Sequence, residues 1–288
     1  MTPPSHVGLD FWSWQLIFAA ILNLVLQTLT IGAYAARLAG VQTLRVATSI
    51  SLFNLVVTAS RVANMFYSPM LGSISDHASK FASKYPALAP ATVHHYDLQI
   101  RLIIFAGTIG TTLGALLLPT FLHLFRRGIA VFERLGSVPR ALLRFGDFGV
   151  LFAIAATVRT PNPKNWRRFR MSHVPVKLIV ANVVVTAIYA VGVVAAAYAS
   201  LINPASARTA LLASGLVNGI ATISFTLIVD PTSAFYTDQA VRGERPVEEV
   251  KSLVFYLSLS AIVGTLVSQL ILFPSAEFIG WGASLINR

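Results

Sequence analysis

The chain has 288 residues, of which 55% are hydrophobic and only 11% charged, and its mean hydropathy is +0.70. That balance excludes an ordinary soluble globule and places the chain among polytopic membrane proteins. A formal net charge of +11 could suggest nucleic acid, but most of the basic residues sit beside apolar spans, where they set topology and meet anionic lipid headgroups. Cysteine is absent, which removes a disulfide framework, a thiolate nucleophile and a thiolate metal site.

Residues 1–11 carry no Lys or Arg and the first apolar run continues to full spanning length, so the first helix is expected to be retained rather than removed as a signal peptide. The first span, about 12–36, opens with Trp12 and Trp14 as interfacial anchors. Asn23, Gln27, Thr30 and Tyr34 then recur at helical spacing, and Arg37 continues that stripe. The second span, about 46–69, carries Arg61 near its middle. At 1.5 Å per residue, Arg61 lies only about 6 Å from the midpoint, too deep for comfortable snorkelling. Ser51, Asn54, Thr58, Arg61, Asn64 and Ser68 fall within an arc of about 140°, with apolar residues around most of the remainder. Pro69 and Gly72 are expected to close this helix, and 73–98 reads as a polar connection. His94, His95 and Asp97 lie there, without the helical spacing of metal ligands, and no metal or other cofactor is expected.

The third span, about 100–125, has Gly107, Gly110 and Gly114 along one face, which marks a close helix contact. Residues 126–177 hold eleven Lys and Arg against two acids, and 126–174 reads as a basic cytoplasmic insertion. Its segment FGDFGVLFAIAATV at 145–158 is short for a crossing and reads as interfacial or re-entrant. Spans four (about 175–201), five (about 207–229) and six (about 252–273) carry polar stripes that include Asn182 and Asn218. Asp230-Pro231 is expected to end the fifth span, and Pro274 to begin an amphipathic tail. With both termini outside, sixteen Lys and Arg fall in the three inner loops and five near the outer segments, as the positive-inside rule requires. The fold class is therefore an all-α bundle of about six transmembrane helices, treated as one domain over 1–288.

Arg61 is the prime functional candidate, because a guanidinium can grip a phosphate or carboxylate in bidentate fashion. The plainer reading is an interhelical ion pair or carbonyl clamp. Asn54 and Asn64 could complete its donor set, or bond neighbouring helices. Arg37, Arg101 and Asp230 lie near the two interfaces, where anchoring competes with substrate contact. The chain has no GxxxxGK[ST] loop and no cluster of acids suited to phosphate chemistry, so it is read as a transporter and not an enzyme.

The strings TIGAYAARLAG at 30–40, SLFNLVVTASRVANMFYSPMLG at 51–72, GSVPR at 136–140, and VTAIYAVGVVAAAYAS followed by ASGLVNGIATISFTLIVDP together resemble the Amj-type lipid II flippases of bacteria. The resemblance covers about residues 15–275. It implies export of the undecaprenyl-pyrophosphate-linked peptidoglycan precursor from the inner to the outer leaflet of the bacterial cytoplasmic membrane, with lipid II and membrane lipids as partners and no nucleic acid. In that setting Arg61 is expected to attract the pyrophosphate, while Asn54, Asn64, Asn182 and Asn218 offer hydrogen bonds to the head. Six helices make a small enclosure for so large a head, so a homodimer is a further expectation. The competing readings are a carrier of another polyprenyl phosphate or a small anionic metabolite, a membrane enzyme acting on a lipid phosphate, and a non-transporting scaffold.

Overall fold

A computed structural model describes residues 11–135 and 174–287. The expectations for 145–158 and for the strings GSVPR and KNWRRFR fall outside the described residues. Six helical segments are long and apolar enough to cross a membrane, and the described residues contain no strand, so the chain is an all-α, multi-pass membrane protein.

Helix α1 (Trp14–Thr43) starts where the Ser13 hydroxyl accepts the Leu16 N–H at 3.2 Å, and ends at Leu44 in the left-handed region (φ 57°). The backbone N–H groups of Leu44 and Arg45 return to Val41 and Gly40, which satisfies the last carbonyls and turns the chain straight into α2 (Val46–Lys84). This hairpin is tight because Gly40 faces Ser49: a Cβ there would lie 3.0 Å from the serine Cβ. Helix α2 does not stop at Pro69. Loss of one backbone donor is tolerated because the residues beyond it are held by tertiary contacts, with Leu71, Ile74 and Ala78 buried in the largest apolar cluster. A single 3-10 turn, Pro86–Leu88, then leads into α3 (Ala89–Leu116). His94 and His95 are therefore helical, not part of a loop, and the His95 ring meets Phe11 edge-on at 5.2 Å.

The third crossing ends at Leu116, short of the expected 125, because Pro119 cannot donate to the preceding turn and the helix restarts as α4 (Leu118–Leu135). Helix α4 is amphipathic. Phe125 and Ile129 pack on Ala35, Ala36, Ala39 and Leu52, while Arg126 and Arg127 stay exposed. Helix α5 (Val176–Ile202) is followed by a turn and the broken fifth segment: α6 (Ala207–Leu212), α7 (Ser214–Ser224), a π turn at Phe225–Val229, and α8 (Asp230–Val241). Asp230-Pro231 thus ends nothing. The wide turn just before it absorbs the missing proline N–H and the helix continues. Helix α9 (Val247–Ile286) likewise passes through Pro274 without a break, since Leu272, Ala276, Ile279 and Ala283 on either side are fully buried.

Two contacts hold the bundle at its centre. Helices α1 and α3 meet through the glycine face, where the Thr28 hydroxyl donates to the Gly110 carbonyl at 2.9 Å and the Asn23 amide to the Ile103 carbonyl at 2.8 Å. Helices α5 and α9 meet at Gly264, where a Cβ would lie 2.7 Å from the Val183 carbonyl oxygen.

Candidate functional site

Helix α2 touches the rest of the bundle differently at its two ends. Near Pro69, Gly72 lies under Leu211 of α6, where a Cβ would sit 3.3 Å from the leucine Cδ2. Ser75 Oγ lies 2.7 Å from Ser200 Oγ of α5 and donates to the Ala197 carbonyl at 3.2 Å. At the other end, Val46, Ser49 and Ile50 border a cleft of about 480 Å³ whose further wall is α8, from Pro231 to Asp238, with Arg37 and Gly40 behind it. Between these ends α2 and α7 share no packed interface.

With about 100° per residue, the side of α2 that meets α5 and α6 at one end and the cleft at the other also carries Asn54, Asn64 and Ser68. Asn54, Thr58 and Asn64 are exposed, whereas Leu52 on the opposite side is buried. The polar stripe read from the sequence is therefore left exposed, beside exposed Val62, Met65 and Phe66, and is not buried in a helix-helix contact. Arg61 falls within the same helix, and its side chain lies outside the described residues.

On α7, Asn218 and Thr222 lie near Gly215 and Gly219, around whose Cβ positions there is open space to 4 Å. The Asn218 Oδ1 is buried against Gly192 and has no hydrogen-bond partner among the described residues. Tyr189 of α5 shares a 2.7 Å hydrogen bond with Thr222. On α1, Thr30 and Arg37 lie about two turns apart on one face, and Arg37 forms an ion pair with Asp230 beside the cleft. Their side chains are 22% and 46% exposed, so the pair is reachable from water or from a ligand. Topology had placed both residues at one membrane face. Their pairing needed the π turn, which sets the first turn of α8 against α1.

Two predicted site residues stand elsewhere. Asn182 is fully buried, its amide donating to the Leu257 carbonyl (3.0 Å) and Ser260 Oγ (2.9 Å) while its Oδ1 accepts from the Tyr34 hydroxyl (3.1 Å). It joins α1, α5 and α9, and no atom of it is free for a headgroup. Replacing Asn182 with alanine should lower stability by about 2 kcal/mol, since intramembrane hydrogen bonds of this kind average about 0.6 kcal/mol and reach about 1.7; unfolding in detergent by denaturant reads the loss. Arg101 is likewise engaged: its Nε lies 2.7 Å from Asp97 Oδ2 and its Nη1 donates to the Gln269 carbonyl at 3.0 Å, while the Gln269 amide returns to the Arg101 carbonyl at 3.0 Å. This reciprocal lock ties α3 to α9. Thr30 and Tyr189 stand on the polar stripes of the first and fourth spans, and neither is among the residues expected from the sequence to meet a substrate.

The chain is thus a multi-pass membrane protein with an exposed polar stripe on α2 and an Arg37–Asp230 ion pair beside a cleft. The family model described as Amj, alternate to MurJ, matches residues 22–283. A protein of Bacillus subtilis (strain 168) named lipid II flippase Amj is 35% identical over 268 residues, which cover 93% of this chain and 96% of that one. No solved structure matches the chain. With the family model spanning most of its length and a relative aligned nearly end to end, this chain belongs to the Amj family, the alternates to MurJ.

Proposed function

We propose that this chain moves lipid II from the inner to the outer leaflet of the bacterial cytoplasmic membrane, as a transporter and not as an enzyme. The observation that carries the reading is the 35% identity, over 93% of the chain, to a protein named lipid II flippase. A groove between α2 and α7 supplies the physics. A pyrophosphate, two sugars and an acidic peptide cannot enter hydrocarbon, whereas a polyprenyl tail can stay in it. An opening between α2 and α7 lets the head travel along polar walls while the tail trails in lipid.

The cleft of about 480 Å³ beside Arg37 is large enough for a pyrophosphate with its first sugar and too small for the whole head. On the positive-inside count its mouth faces the cytoplasm, with both termini outside. Arg37 meets the pyrophosphate there by exchanging Asp230 for a more highly charged partner, and Asp230 retakes the guanidinium when the head moves on. Arg61, flanked by Asn54 and Asn64, is the next station, with Asn218 opposite. A single cation at each station keeps the binding weak enough for release.

The test is expression in cells depleted of every other lipid II flippase, with labelled precursor followed at the outer surface. Restored exposure of lipid II is the expected result. Labelled lipid II accumulating in the inner leaflet while another polyprenyl phosphate moves would point to a different carrier, and phosphate released by the purified protein would point to an enzyme.

A further inference from the structure

In the flippase reading the groove is open towards the Arg37 end and stops where α2 meets α5. The residues at that closure are not those of a permanent wall. Ser75 lies eleven residues after Asn64 on α2, and Ser200 eleven after Tyr189 on α5. Eleven residues are about three turns, so each serine continues the polar face of its helix beyond the groove. Their hydroxyls meet at 2.7 Å, and both bond the Ala197 carbonyl. The surrounding part of α5 is Ala195, Ala196, Ala197 and Ala199, all fully buried, which lets the two backbones approach closely, although Leu71 and Ile74 of α2 share an apolar cluster there with Val194 and Leu201 of α5.

Two phenols are sealed behind this seam. Tyr67 of α2 and Tyr96 of α3 belong to the same buried cluster, 4% and 0% exposed, and among the described residues the Tyr67 hydroxyl has no hydrogen-bond partner. The Tyr96 hydroxyl has Ser75 beside it, whose oxygen it shares with Ser200 and the Ala197 carbonyl of α5. Burying a hydroxyl without a partner is unfavourable and disfavours the closed state relative to one in which Tyr67 finds a partner. Pro69 lies between this part of α2 and the groove part and removes a ladder bond there, a natural place for the helix to bend.

We propose that the seam between α2 and α5 is the second half of the headgroup path, closed in this conformation, and that Tyr67, Ser75, Tyr96 and Ser200 bind the carbohydrate part of the head when it parts. This rests on the flippase reading above. Four hydroxyls, each able to donate and accept, suit sugar hydroxyls and amides better than a phosphate, which the arginines at the other end serve.

Because the native chain has no cysteine, the seam can be locked selectively. In the full-length Ser75→Cys/Ser200→Cys protein, oxidation should join α2 to α5 and lower lipid II translocation in proteoliposomes at least tenfold below the rate of the same variant kept reduced, with reductant returning it to that reduced rate. A verified cross-link that leaves the rate unchanged overturns the proposal while leaving the flippase reading intact. Wild-type protein that moves no lipid II overturns both. If the cysteine pair does not cross-link, Tyr67→Phe and Tyr96→Phe decide. Removing the unpaired Tyr67 hydroxyl should raise thermal stability, and the proposal requires translocation to fall several-fold in both variants; unchanged translocation in both rejects it.

Discussion

Replacing Arg61 by leucine should cut outward movement of lipid II by about tenfold or more while leaving the bundle assembled and more stable than the native one. The two effects run in opposite directions for one reason. Position 61 lies about one turn before the midpoint of α2, between Asn54 and Asn64, on a helix whose apolar stretch is largely uncovered by protein. A guanidinium at that depth disfavours insertion by about 2.5–3.5 kcal/mol, whereas leucine favours it slightly. A residue kept for packing would give the reverse pattern, with stability lost and transport preserved. Arg61→Lys separates charge from geometry: it keeps the cation but not the bidentate fork, and should fall between the native and leucine proteins. The measurement pairs surface exposure of labelled lipid II with thermal unfolding in detergent. Leucine at 61 with transport at the native rate would remove Arg61 from the path.

The second large effect is on stability alone. A Cβ on Gly110 would lie 2.1 Å from the Leu24 carbonyl oxygen, with the Leu24 Cα and carbonyl carbon both within 2.9 Å. Those are backbone atoms of α1, and no flexible side chain can swing aside. Alanine at 110 must push α1 and α3 apart by about 1 Å to regain ordinary contact distances. That displacement stretches the Thr28 bond to the Gly110 carbonyl and the Asn23 bond to the Ile103 carbonyl. A loss of roughly 3 kcal/mol or more is expected, at the upper end for overpacking because hydrogen bonds go with it. Gly215→Ala provides the contrast. Nothing lies within 4 Å of its Cβ position, so that variant should gain about 0.5–1 kcal/mol from the removal of backbone freedom. Equal unfolding midpoints for the two variants would show that the α1–α3 contact is looser than described.

How far the candidate site was legible beforehand is clearest from the asparagines. Asn54, Asn64, Asn182 and Asn218 all stand on polar stripes of apolar helices, and periodicity treats them alike. In the folded chain Asn182 is buried among three helices with its amide and carbonyl oxygen bonded, Asn54 and Asn64 face open space, and Asn218 packs on Gly192 of α5 with its oxygen unpaired among the described residues. A stripe reports that some polar surface must be met, not by what. The prolines carried a similar ambiguity. Pro69, Pro231 and Pro274 are each a plausible helix end by local rules, and each is carried through, by buried neighbours or by a π turn.

Hydropathy and helical period, which depend only on the order of residues, were enough to establish a six-span α-helical membrane protein and the polar side of α2. They suffice because the bilayer demands about twenty apolar residues per crossing and satisfies no backbone group itself. Which polar faces meet one another, that Arg37 pairs with Asp230, and that α2 and α7 share no packed interface were decided by tertiary packing. Those choices depend on where small residues let helices close and where side chains hold them apart, and helix period carries no information about the neighbour.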